Sequence, residues 1–93
     1  MALSFAPGRA IYDADRRMVR FFAHDDALLI RCGVTRRALV SVASDQSIEN
    51  SDPLLLYRKL KARIHGAARR KYLKHLREVD GLIVVRRKDL SAV

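Results

Sequence analysis

The sequence predicts an α+β domain, and three observations carry that prediction. Two runs in the first half alternate apolar and polar residues with period two, a long stretch in the second half repeats apolar residues at helical spacing behind an Asp-Pro start, and a β-branched run follows it. Strands come first, helices next and a strand last, an order that gathers the helices on one face of a small antiparallel sheet. At 93 residues the chain makes one domain, 1–93, and a chain of that size buries only about 60 to 65% of the surface its unfolded form exposes. A composition of 49% hydrophobic and 31% charged residues lies in the globular range and outside the disordered, collagenous and membrane classes.

Residues 2–6 place Leu3 and Phe5 in alternation before Pro7-Gly8, so the first expected strand is short and lies at an edge. Tyr12-Asp13-Ala14-Asp15-Arg16 reads as a turn. The strand expected over 17–23 puts Val19, Phe21 and Ala23 on one face, and His24-Asp25-Asp26 turns the chain into a second strand over 27–34 with Leu28, Ile30, Cys32 and Val34 on one face. Thr35 is a suitable N-cap for a two-turn helix over 35–43, whose basic first turn opposes the helix dipole and makes it depend on packing. The polar stretch 44–50 ends that segment.

The strongest start signal is Asp52-Pro53, a capping carboxylate followed by a proline whose missing N–H has no partner to lose in a first helical turn. The spacing predicts one helix over 53–78, with Tyr57, Leu60, Ile64, Ala68 and Tyr72 in a single apolar stripe. Gly66 falls on the opposite face, where it weakens the helix and marks the place for a bend. Val79-Asp80-Gly81 is the expected stop, and a strand over 82–88 turns basic at Arg86-Arg87-Lys88.

With the elements in place, the run Tyr12-Asp13-Ala14-Asp15-Arg16-Arg17-Met18-Val19-Arg20-Phe21-Phe22-Ala23-His24-Asp25-Asp26-Ala27-Leu28 resembles the opening hairpin of a bacterial family known as domain of unknown function 1488. The likeness continues through Ala67-Ala68, Tyr72 and Asp89-Leu90, and so covers most of the chain. It departs from the family pattern at Ile30-Arg31-Cys32-Gly33, where relatives carry an apolar run, and in the density of Lys and Arg on the long helix. The resemblance implies an α+β fold and a bacterial cytoplasmic setting; it transfers no functional residue.

Catalytic and metal chemistry find little support. His24-Asp25-Asp26 offers an imidazole beside carboxylates, but a metal site needs three or four convergent ligands and the sequence fixes no others nearby. His65 and His75 fall on different sides of the helix and read as flank residues. Cys32 sits at a strand position suited to an inert thiol, and no Gly-rich phosphate loop or nucleophile elbow occurs. The expectation is a protein that is not an enzyme and uses no cofactor or metal. A lone cysteine excludes an internal disulfide and points to a reducing compartment. Residues 1–9 lack a basic leader ahead of an apolar run, and no stretch approaches the length of a membrane span, so the expected setting is cytoplasmic.

Charge is the one feature with functional content. Residues 1–52 are neutral in sum, with seven Arg against seven acids, while 53–93 carry twelve Lys or Arg against three acids and hold the whole net charge of +9. Such a field attracts polyanions. The long helix presents Arg58, Arg63, Arg69, Arg70, Lys74 and Arg77 on a face without interspersed Glu, and Arg86 and Arg87 extend it if the last strand ends nearby. The leading expectation is weak, sequence-independent binding of nucleic acid or another polyanion, because no turn precedes a recognition helix and no aromatic pair is suited to stacking. A basic face that serves solubility alone would leave a protein-interaction or homodimer-forming module, using a sheet edge or the flank Leu55, Leu73 and Leu76. A basic helix on an anionic membrane ranks third, since its apolar stripe is needed in the core. Pairing of these arginines with Asp13, Asp15, Asp25, Asp45 or Glu49 would remove the need for an outside anion.

Overall fold

The computed structural model describes residues 3–5, 10–42, 52–78 and 80–91. Along them run β1 (Ser4–Phe5), β2 (Ile11–Asp13), β3 (Met18–Asp25), β4 (Leu28–Thr35), α1 (Arg36–Val42), α2 (Pro53–Lys59), α3 (Lys61–Leu73), β5 (Ile83–Val85) and α4 (Arg87–Ser91). The α+β class expected from the pattern is the one observed. The polar stretch 44–50, residue 43 at the end of the first helix and the outer residues 2 and 6 of the first strand lie outside the described residues.

The β3–β4 hairpin is the centre of the sheet, paired from Met18 opposite Thr35 to Asp25 opposite Leu28. Asp26 turns the chain with φ 53, a left-handed conformation that Asp tolerates better than most side chains. One face of the hairpin buries Val19, Phe21, Ala23, Ile30, Cys32 and Val34, the alternation read from the sequence, except that Leu28, beside the turn, is exposed. Against that face pack Leu39 of α1, Leu56 and Tyr57 of α2, Ile64, Ala67 and Ala68 of α3 and Leu90 of α4, so all four helices share one core with the sheet. The other face holds a smaller cluster of Met18, Leu82 and Val84. A Cβ at Gly33 would stand 2.6 Å from Met18 Sδ, so glycine is what lets Met18 lie across β4.

The strand order is β1-β3-β4-β5, with β2 also paired to β3. β1 and β2 are antiparallel to β3, but Cys32, Gly33 and Val34 of β4 pair in parallel with Ile83, Val84 and Val85. The sheet is therefore mixed rather than wholly antiparallel. The long connection through three helices supplies the crossover that a parallel pair requires.

Four further departures from the sequence reading have physical causes. Tyr12 and Asp13, read as the start of a turn, join Ile11 in β2 opposite Met18 to Arg20, and the turn occupies residues 14–17. The helix expected over 53–78 is two helices joined at Leu60 (φ −102, ψ 11), with the Leu60 N–H to Leu56 and Ile64 N–H to Leu60 bonds intact across a bend. The bend avoids Gly66 because α2 packs on β2 and β3 whereas α3 packs on β5 and α4, and a straight rod cannot follow a twisted sheet to both. α3 ends at Leu73, well before Gly81: His75, at φ 58, donates to the Tyr72 carbonyl and Leu76 to that of Lys71, a Schellman end with His where Gly is usual. The final strand stops at Val85 rather than 88, because Asp89 Oδ2 accepts the Arg86 N–H at 2.8 Å and starts α4.

Candidate anion-binding groove

Register brings three basic doublets to one end of the sheet. Met18, the first residue of β3, stands opposite Thr35, the last of β4, and Val34 stands beside Val85, the last of β5. The residues just beyond those ends are Arg16-Arg17, Arg36-Arg37 and Arg86-Arg87, the last followed by Lys88. Together with Thr35, Val40 and Ser41 they line an open groove of about 1080 Å³, and among the described residues no acidic side chain lines it.

Local bonds hold each wall. In the turn before β3 the Arg16 N–H donates to Asp13 Oδ1 at 3.2 Å, and Arg17 takes φ 53, a left-handed conformation that costs an arginine about 1 to 2 kcal/mol. Its carbonyl accepts the Arg36 N–H at 2.9 Å, tying the turn to the start of α1. Thr35 Oγ1 caps that helix by accepting the Ala38 N–H at 3.1 Å, as its side chain and position promised. On the third wall Lys71 Nζ reaches from α3 to Asp89 Oδ2 (3.0 Å) and to the Val84 carbonyl (2.8 Å), pinning the strand-to-helix corner that carries Arg86, Arg87 and Lys88.

Two acids meet arginines of the groove. Arg16 pairs with Asp80 at 2.9 Å and Arg86 with Glu78 at 2.8 Å, each pair substantially exposed. The Leu82 N–H and then the Arg16 guanidinium hold the Asp80 carboxyl below its ordinary value.

The eight basic residues singled out in the sequence separate into groups. Arg86 and Arg87 line the groove. Arg63 donates to the Leu90 carbonyl at 3.0 Å and Arg70 to that of Asp89 at 3.3 Å, so two cations of α3 satisfy carbonyls at the end of α4 that have no partner within their own helix. Arg69 lies over the Phe5 ring at 5.0 Å and Arg77 over the Tyr72 ring at 5.1 Å. Arg58 is exposed on α2, and Lys74 is the exposed C-cap of α3. None of these six lines the groove. Among the described residues no arginine of α2 or α3 forms a salt bridge; Asp13 pairs with Arg20, and Asp25 accepts the Tyr72 hydroxyl. Asp45 and Glu49 lie outside the described residues. The groove cations that the sequence reading passed over are Arg16, Arg17, Arg36 and Arg37. Their signal was the Arg-Arg doublet at a strand end, repeated at three ends.

Elsewhere the reactive side chains are buried in apolar surroundings. Burial pushes the Cys32 thiol up to about 12, and its Sγ lies 3.9 Å from the Ile30 carbonyl. His65, read as a flank residue, is 9% exposed, stacked on Phe5 at 3.8 Å and hydrogen-bonded through Nε2 to the Tyr57 hydroxyl at 2.8 Å. Its burial, reinforced by Lys61 and Arg69, lowers its pKa to about 4. Among the described residues there is no cluster of three His, Cys, Asp or Glu suited to a metal ion, and no helix is long and apolar enough to cross a membrane.

These features define a small α+β domain with an arginine-lined groove at the end of a mixed sheet. A family model described as protein of unknown function (DUF1488) matches residues 3–85, and the chain belongs to that family. Its fold is similar to the crystal structure of a protein of unknown function from the same family of Shewanella loihica PV-4, with a TM-score of 0.75 at 20% identity over 89% of this chain and 90% of that one. No curated protein matches the chain.

Proposed function

We propose that this protein is a non-catalytic, cytoplasmic nucleic-acid-binding module that holds a phosphate backbone in the arginine groove without reading sequence. One observation carries the reading: basic doublets from three separate strand ends converge on a concave surface that, among the described residues, no acid lines. Like charges so gathered repel one another, and an external polyanion relieves that repulsion while releasing its own counterions. Arginine suits the role because its planar fork can donate two parallel bonds to one phosphate. The unpaired, buried Cys32 supports a reducing compartment. Its raised pKa and the lowered pKa of His65 support a role without catalysis, since neither side chain is tuned towards reactivity near neutral pH.

A salt titration tests the reading. With about four to five phosphates neutralised, the logarithm of the binding constant falls against that of salt with a slope near −4. The double variant Arg37→Glu and Arg87→Glu is expected to abolish binding, while Arg58→Glu with Lys74→Glu on the helices changes it little. A flat salt response, or the opposite ranking of the two variants, overturns the proposal. A second reading, a protein-interaction or self-association module, is supported by Leu55, Leu73 and Leu76, which are 50%, 62% and 50% exposed. Light scattering that shows a monomer at high concentration counts against its self-associating form.

A further inference from the structure

We propose that the groove takes double-stranded nucleic acid in preference to single-stranded, through phosphate contacts alone; the inference rests on the function proposed above and narrows its ligand. Proteins that hold single strands combine a basic track with aromatic rings on which unpaired bases stack. No aromatic residue lines this groove. Phe5, Phe21 and Tyr57 are packed together around His65 in the core, and Tyr72 is engaged by Asp25 and Arg77. Phe22 pairs across the hairpin with Arg31, away from the strand ends where the doublets lie.

Shape argues the same way. Reading bases in a duplex requires a protruding helix or ribbon that enters a groove of the nucleic acid. The basic surface is instead a hollow, and the helices at its edge, α1 and α4, are seven and five residues long. A hollow fits the convex ridge of a sugar-phosphate backbone. The hydroxyls in the lining are turned inward on the protein: Thr35 Oγ1 accepts the Ala38 N–H, and Ser41 Oγ donates to the Ala38 carbonyl at 3.0 Å. Cationic side chains thus make up most of the recognising groups, and for them the ligand's charge density decides. A duplex carries one charge per about 1.7 Å of axis and a single strand one per about 3.4 Å.

The test is fluorescence anisotropy on the full chain with a labelled duplex, one of its separated strands and an abasic strand of equal length. At about four phosphates neutralised, the slopes are near −3.6 for the duplex and −2.8 for the strand, so a tenfold dilution of salt gains the duplex about sixfold over the strand. The abasic strand is expected to bind within about twofold of its base-bearing counterpart, because bases contribute nothing in this scheme. Arg37→Gln, with circular dichroism unchanged, is expected to weaken duplex and strand together. A strand that binds as tightly as the duplex, or an abasic strand that binds distinctly more weakly than the normal one, overturns the preference and leaves the nucleic-acid reading standing. Absence of salt-dependent binding to all three overturns both.

Discussion

The Arg86 guanidinium donates to the Glu78 carboxylate at 2.8 Å, and across the same end of the sheet Arg16 meets Asp80 at 2.9 Å. Two groove cations are thus already shared with carboxylates of the segment between α3 and β5. Both pairs stand in water, so their hold is weak and salt-sensitive.

Neutralising that segment is expected to strengthen binding. Glu78→Gln removes an exposed pair whose loss raises affinity by up to about fivefold, and Asp80→Asn acts in the same direction. Anisotropy titrations of both variants against one duplex check this; unchanged affinity means that these acids do not compete for the arginines.

Lys71 is the support whose loss should be felt furthest. Its side chain is 13% exposed and its ammonium bridges Asp89 and the Val84 carbonyl, so Lys71→Met removes one bond from each acceptor, at a cost of about 1 to 3 kcal/mol. Chemical denaturation measures that loss. Binding should fall with it even under conditions where the variant is fully folded, because the corner carrying Arg86 and Arg87 loses its anchor.

Acid should destabilise the fold through His65. Its pKa is about 4 in the folded protein against an ordinary 6.5, so between those values the unfolded chain binds more protons and stability falls as pH is lowered. The full difference is about 3 kcal/mol, present above pH 6.5 and lost by about pH 4. Denaturation midpoints for the wild type and His65→Gln across that window check it. The variant should be less stable at pH 7, and its curve should lack this descent.

His75→Gly is expected to stabilise. His75 closes α3 at φ 58, a conformation in which glycine avoids a clash of about 1 kcal/mol. Part of that gain is offset by the greater freedom glycine has when unfolded. A rise in thermal midpoint with unchanged nucleic-acid binding is the anticipated result, and a fall would mean that the imidazole makes a compensating contact.

The hairpin was legible because a buried face with period two leaves a signature in every second residue, from Val19 through Ala23 and from Ile30 through Val34. Asp52 was legible for a similar reason: its Oδ1 accepts the Leu54 N–H at 3.0 Å, a bond made within three residues. What escaped was decided over longer distances. The bend at Leu60 answers to the twist of a sheet, and α4 depends on Lys71, Arg63 and Arg70 from a helix some twenty residues earlier. The groove does not show in the linear charge distribution. Summed along the chain, residues 1–52 are neutral, yet four of the groove arginines come from that half, because the pairing of β3 with β4 brings Arg16-Arg17 and Arg36-Arg37 to the same end of the sheet.

The parallel union of β4 with β5 has a consequence for how occupancy and integrity are linked. It closes a loop of about fifty residues, and the burial of Ile83, Val84 and Val85, each at most 1% exposed, offsets the entropic cost of that closure. Since Arg86, Arg87 and Lys88 follow that strand, an anion held by them is expected to favour the paired edge, and loosening of the edge is expected to weaken their hold on the anion.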